Sequence, residues 1–424
     1  VPENERPIAD TALPPYRVLD LTEGGSLLGG RLLADLGADV VQVEPPGGGP
    51  SRIAPYHKNT PDPERSLFWW AYAGNKRGIT LDITKPEGQE LCKQLAAKAD
   101  AVIESFPPGY LASLGLGYDN LAKLNPGLVF ASITPFGQRG PKADRPASDL
   151  TVWATGAYLY ACGDPDRAPT WISFPQTSLF GGTEAAIGTL AALWHRHSSG
   201  EGQHVDVSLQ ECAVSPNLNV LQMWDVAGVE FHRLGGALYV PATGVRQPIY
   251  FECKDGYVMI LVQGGNEPFV SSSARLVDWM KEAKAAPDWL IKLDWKLDYD
   301  AATMGQDVAD RVEAAVTAFT RTRTKQELYL EGAIARRILM APVASAKDIA
   351  EDAQLAARDY WRKLEHPDLG EEVVYCGPFI RMSETPVRQS RRAPRVGEHN
   401  EEIYTGELGL SHERLAELRE QGII

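Results

Sequence analysis

The chain has 424 residues, 44% hydrophobic and 23% charged, a globular balance too long for one ordinary core, so two domains are expected. A formal charge of −14 argues against nucleic acid or an anionic membrane surface as the main partner, because both require a positive field. An anionic ligand must then be met by a local basic patch. The opening "VPENERPIADTALPPY" is polar and proline-rich, with no basic-then-apolar signal, and no apolar run reaches about 18 residues, so a cytoplasmic protein is expected. "YRVLDLT" (16–22) reads as a strand, followed by a glycine-rich turn, the helical pattern "LLGGRLLADLGA" and a second buried run "DVVQVE". That is a βαβ unit with parallel strands. The pattern returns in "RGITLDI" (77–83), the helix "PEGQELCKQLAAKA" (86–99), "DAVIESF" (100–106) and "LVFASIT" (128–134), which predicts a doubly wound parallel sheet.

The stretch "WISFPQTSLFGGTEAAIGTLAALWHR" (171–196) is apolar or small almost without a break from Leu179 to Trp194, and reads as a buried helix entered at Ser178. After "GQHVDVSLQE" the texture changes to short β-like pieces and Trp- and Lys-rich helical stretches. The expected organisation is a large domain over 1–224, a smaller domain over 225–330, and a return to the large domain over 331–424.

Glu44 ends the second strand about 20 residues after the glycine turn, as a ribose-binding acid would. The glycines, however, stand as "GGSLLGG" (24–30), which contains neither G-x-G-x-x-G nor a P-loop, so they are read as structural turn residues. The five cysteines (Cys92, Cys162, Cys212, Cys253, Cys376) are odd in number and form no CxxC pair, which fits ordinary thiols in a reducing compartment. His195, His197, His366 and His399 show no metal-ligand spacing and read as surface or interface residues; no metal site is expected.

The combination "VLDLT…LLADLGADVVQVEPPGGGPSR", "NKRGITLD", "LGLGYDNLAKLNPGLVFASITPFGQRGPKADRPASD", "LAALWHRHSSGEGQHVDVSLQE", "LEHPDLG" and "RRAPRVGEHNEEI" resembles the class III CoA-transferases, the family of formyl-CoA:oxalate and carnitine CoA-transferases and of α-methylacyl-CoA racemase. The resemblance covers nearly the whole chain and is weakest over 225–330. It implies an α/β fold with a Rossmann-like large domain built from both termini, a smaller α+β domain, and two subunits interlocked as a ring. It also implies CoA thioesters as substrates, with CoA held at the positions of Asn75, Lys76 and Arg77 and of Ser105 and Phe106. Physically, Lys and Arg suit the CoA phosphates. Where relatives read "ENFRPGxLxRLGLGY", this chain reads "ESFPPGYLASLGLGY" (104–118): Ser105 stands for Asn, and Pro107 and Ser113 for basic residues, which implies a weak CoA site. Gly264 and Gly265 match a glycine-rich loop that covers the active site.

The largest departure is at the helix start. Relatives carry the catalytic aspartate in "P-x-x-D-L", and here Pro175-Gln176-Thr177-Ser178-Leu179 puts Ser178 in its place. In the transferase mechanism that carboxylate attacks an acyl-CoA to give a mixed anhydride and CoA thiolate, and the thiolate returns to form an enzyme-bound thioester. An alkoxide is a poor leaving group, so a serine ester could not be reopened by the thiolate, and no Ser–His pairing is evident to activate Ser178. Glu184 lies on a different face of the helix, and Asp149 and Asp164 are looser alternatives. The racemase branch is excluded as well, because Ser148 and Ser178 occupy its acid–base positions. Ser178 reads instead as an N-cap. The expected function is a non-catalytic subunit paired with a homologous catalytic subunit. The rival readings are an active homodimer using another carboxylate and a CoA-ester-binding homodimer without chemistry.

Overall fold

The computed structural model describes residues 11–13, 16–230, 232–240, 243–300, 302–387 and 389–424. The first strand, β1 (Arg17–Leu21), buries Val18, Leu19 and Leu21 on both of its faces, as a central parallel strand must. A turn through Gly24–Ser26 leads into α1 (Leu27–Asp35) and then β2 (Asp39–Glu44). There follow α2 (Leu67–Ala73), β3 (Arg77–Thr80), α3 (Pro86–Ala97), β4 (Ala101–Glu104), β5 (Val129–Thr134), α4 (Asp149–Thr155), α5 (Thr177–Ser199), β6 (His204–Ser208) and α6 (Leu218–Ala227), shorter turns of helix being left unlabelled. The six strands form one parallel sheet in the order β3-β2-β1-β4-β5-β6, which is the expected doubly wound α/β arrangement.

Alternation along the strands gives the sheet two apolar faces. Val18, Val40, Ala101, Ile103 and Val129 pack with Leu33 of α1 and Ala185 and Leu193 of α5. Leu19, Val41, Val102 and Phe130 pack on the other side with Leu91 and Leu95 of α3 and with Leu415, Leu418 and Ile423 from the chain's end. The α1 and α5 backbones touch, since a Cβ built on Gly29 would lie 2.7 Å from the Gly182 carbonyl oxygen. The long apolar helix is therefore buried along one side only. The sheet and α1 cover that side, while Ile187 and Trp194 on the other are 55% and 79% exposed.

By internal packing the chain divides into two compact units, Val1–Leu159 with Ile172–Val229 and Gln354–Ile424, and Tyr160–Trp171 with Glu230–Ala353. The second unit contains a ribbon of β7 (Ala237–Tyr239) and β8 (Arg246–Pro248), an antiparallel sheet of β9 (Tyr250–Cys253), β10 (Gly256–Ile260) and β11 (Met340–Pro342), and helices α7 (Glu267–Glu282) and α8 (Gln306–Thr320). Phe251, Val258, Ile260, Trp279, Met280, Val312 and Phe319 form its core. Segment 160–171 joins this unit through contacts about 70 residues distant in sequence: Arg233 donates to the carbonyl oxygens of Asp164 and Arg167 at 3.1 and 3.0 Å. Chain texture at 224 and 330 could not register such non-local packing.

The returning C-terminal segment belongs to the first unit. It forms the hairpin β12 (Trp361–His366) and β13 (Glu371–Cys376) and ends in α9 (His412–Glu420). His366 is not a surface residue: its ring is buried 4.3 Å from the Trp70 ring, and its Nε2 is 2.8 Å from the Tyr375 hydroxyl. Among the described residues no helix is long and apolar enough to cross a membrane, and no cluster of three or more His, Cys, Asp or Glu is placed to hold a metal.

Candidate functional site

In an open parallel sheet the ligand crevice lies beyond the carboxyl ends of the strands, where the strand order reverses. Here the reversal falls between β1 and β4. The segments leaving those two ends, Thr22–Gly24 and Ser105–Phe106, are tied to each other because the Glu23 amide donates to Ser105 Oγ at 2.9 Å. The Gly24 amide donates to Ser51 Oγ at 2.8 Å. Ser105 and Phe106 thus stand at the switch point.

The start of α5 is at the same place. A Cβ on Gly25 would come within 2.3 Å of Ser178 Oγ, so the β1–α1 turn must carry glycine there for the helix start to approach. Ser178 lies in the first turn but is not the N-cap. The helix begins at Thr177, its N-cap is Gln176, and no side chain of its own caps it. The cap comes from 27 residues earlier in the chain. Asp149 Oδ1 accepts from the amides of Gln176 and Thr177, at 3.0 and 2.8 Å, and from Thr177 Oγ1 at 2.6 Å. A carboxylate is well suited to the positive end of a helix. Nothing in the local sequence signals this, and the sequence reading gave the capping role to Ser178. Among the described residues the Ser178 hydroxyl has no hydrogen-bond partner, so neither a histidine nor a carboxylate activates it.

The crevice carries acids. Glu104, at the end of β4, is buried and accepts from the Phe106 amide at 2.7 Å; burial pushes its carboxyl up to about 7. Glu23 is also raised, first by burial and then by repulsion from Glu44. Glu44 itself is paired with Arg52 at 2.7 Å.

The basic step at 75–77 has another role. Lys76 is fully buried, and its ammonium donates to Asp20 Oδ2 (2.7 Å), the Leu27 carbonyl oxygen (2.9 Å) and Gln42 Oε1 (2.9 Å). All three donors of the ammonium are thereby used. Burial lowers its pKa and Asp20 opposes the shift. Arg77, the first residue of β3, pairs with Asp39, Glu402 and Glu407, each at 2.7 Å. Asn75 adopts φ +63°, and its Oδ1 accepts from the amides of Ser390 and Arg391 at 2.9 Å. These residues lock the sheet to the returning C-terminal segment, and the fold has already committed both cations.

Gly264 and Gly265 belong to the second unit and form a packed turn. A Cβ on Gly264 would meet the Trp295 carbonyl oxygen at 2.1 Å, and the Gly265 amide donates to that same oxygen at 3.0 Å. The glycines serve close backbone approach within a segment that is neither helix nor strand.

A doubly wound parallel sheet from the first half of the chain, packed against the returning C-terminal segment and with a helix start at its switch point, defines the class. The family model for CoA-transferase family III matches residues 13–400, and the chain belongs to that family. It is 34% identical over 395 residues to the succinyl-CoA:(R)-benzylsuccinate CoA-transferase subunit BbsE of Thauera aromatica, covering 92% of each chain. It is 33% identical over 420 residues to a succinyl-CoA–D-citramalate CoA-transferase of Chloroflexus aurantiacus, covering 97% and 98%. Among solved structures, a CAIB/BAIF family protein from Brucella suis matches with a TM-score of 0.79 at 29% identity, over 93% of this chain and 99% of that one.

Proposed function

We propose that this chain is the non-catalytic subunit of a heteromeric class III CoA-transferase, interlocked with a homologous catalytic subunit, and that the complex moves CoA between carboxylic acids, from succinyl-CoA to a benzylsuccinate-type acceptor. The observation that carries the reading is Ser178, an unactivated hydroxyl where the family's mechanism needs a carboxylate able to form a reversible anhydride. Asp149 is a poor substitute, since one of its oxygens already holds the α5 cap.

Two further features agree with this. From Leu221 to Glu230 every residue is exposed, including Leu221, Trp224 and Val226, and each large apolar side chain left in water forgoes about 1.5–3 kcal/mol. A second subunit closing over α6 would recover that energy. In addition, the carboxyls of Glu23 and Glu104 stand at the switch point, where Ser105 and Phe106 would face CoA; Glu104 is about half ionised near pH 7, and whatever negative charge the pair carries repels CoA phosphates. This chain's own CoA site is therefore weak.

The test is expression of the chain alone and with a homologue that keeps the aspartate. Transfer of CoA between carboxylates is expected only from the assembled pair. Turnover by the purified chain alone would replace this reading with the active homodimer.

A further inference from the structure

We infer that the second unit carries a binding site of its own for a small carboxylic acid with an apolar or aromatic body, anchored by Arg246. A cavity of about 400 Å³ is lined there by Tyr160, Pro165, Leu234, Tyr239, Arg233 and Arg246, among others, all within that unit. Its size and its aromatic walls with few polar groups are those of a small-molecule pocket.

The two arginines differ. Arg233 is committed to the scaffold: its guanidinium donates to the carbonyl oxygens of Asp164 and Arg167, and it lies 5.8 Å from the Tyr160 ring centre. Tyr160 is further held by its hydroxyl, which donates to Glu230 at 2.9 Å. That wall is pre-organised. The Arg246 guanidinium, by contrast, enters no ion pair or hydrogen bond among the described residues. Only its backbone is fixed, with Gln306 bridging its amide and carbonyl at 2.9 and 3.0 Å. Tyr239 and Arg246 are direct partners across the β7–β8 ribbon, so their side chains share one face.

A guanidinium outside any ion pair, beside a tyrosine on a two-stranded ribbon that lines a partly aromatic cavity, suits one chemistry. The fork takes a carboxylate in two parallel N–H···O bonds and the rings take an apolar body. Asp164, Asp310 and Glu313 line an adjoining cavity that Arg246 also borders; none is within ion-pairing distance of it, although its charge partly offsets the burial that raises Glu313. The lining residues all belong to the second unit and Ser178 to the first, and the proposal does not depend on which subunit performs the chemistry.

Calorimetric titration of the assembled complex, with this chain native or carrying Arg246→Gln, with 3-phenylpropionate, 3-phenylpropionamide and succinate tests this. The acid is expected to bind at least about tenfold tighter than the neutral amide, which lacks the charge, and than succinate, which lacks the ring. Arg246→Gln should lower acid affinity roughly ten- to hundredfold without changing that of the amide, and Arg246→Lys should restore part of it. Equal affinity for acid and amide, or an unaltered affinity in Arg246→Gln, overturns the inference. Should the variant fail to fold, the acid–amide comparison on the unaltered chain decides alone. CoA transfer by the assembled pair, assayed alongside, is expected to persist even where the acid does not bind, so a failure of this site and a failure of the subunit reading give different results.

Discussion

Ser178 and Gly25 meet at the switch point: the serine hydroxyl occupies the space into which a Cβ at position 25 would project, 2.3 Å away. The short side chain at 178 and the absent one at 25 are fitted to each other. Since the hydroxyl neither caps α5 nor touches a base, Ser178→Ala is expected to change stability by less than about 0.5 kcal/mol and leave turnover of the assembled complex unchanged. Ser178→Asp puts a carboxylate at a helix start, where the dipole favours it, yet it acquires no cation for CoA and should create no second active site. Hydroxylamine trapping during turnover should modify only the partner; an adduct on this chain would end the non-catalytic assignment.

The cap on α5 should behave as a cap. Asp149→Ala removes the acceptor of two amides and a hydroxyl and is expected to cost about 0.5–2 kcal/mol or slightly more in urea unfolding. Asp149→Asn, which keeps one acceptor oxygen, should lose about half of that. Turnover per folded complex should stay level in both. A large loss of kcat at unchanged stability would instead make Asp149 the missing nucleophile.

Glu104 supplies a pH dependence. Its folded pKa of about 7 stands above the ordinary 4.5 of a glutamate, so between these values the unfolded chain gives up its proton first and stability falls as pH rises, levelling off above pH ~7. Full ionisation costs roughly 3 kcal/mol on that basis. Glu104→Gln has no such penalty, so its stability relative to the native chain should improve from pH 5 to pH 8 by about 2–3 kcal/mol. A constant difference across that range would mean the carboxyl is ordinary.

Lys76 separates a structural from a ligand role. Lys76→Met strands the buried Asp20 carboxylate and is expected to cost about 3–5 kcal/mol. Lys76→Met with Asp20→Asn removes both charges and should recover much of the loss. If the ammonium serves only the fold, the double variant binds CoA as the native complex does in calorimetry. A selective loss of CoA affinity in a folded double variant would return Lys76 to the ligand site.

The exposed α6 predicts how the chain associates. Trp224→Ser should leave the first unit's unfolding unchanged, because the indole is 60% exposed. The assembled pair, whose interlocked chains separate only on unfolding, should lose about 1–3 kcal/mol, read as an earlier urea transition of the complex. A stable, folded, monodisperse monomer of the native chain would contradict the need for a partner.

Local patterns made much of this protein legible before any coordinates. Short, mostly apolar β-rich runs such as "RVLDL" and "VFASIT" and the crossover helices between them determined the parallel sheet, because its strands are buried on both faces. The resemblance of "PQTSL" to the family's "P-x-x-D-L" is what proposes Ser178 for the nucleophile position. What Ser178 does there was decided by tertiary structure. A cap from Asp149 and a fit against Gly25 are contacts between distant segments, and no spacing rule reports them. The same holds for Lys76 and Arg77. In sequence they are two adjacent cations that suit a phosphate, and only packing reveals that Asp20, Asp39, Glu402 and Glu407 have already neutralised them. The division of the chain follows suit, since segment 160–171 joins the second unit through hydrogen bonds that close a loop of about 70 residues, a cost offset only once both ends are packed.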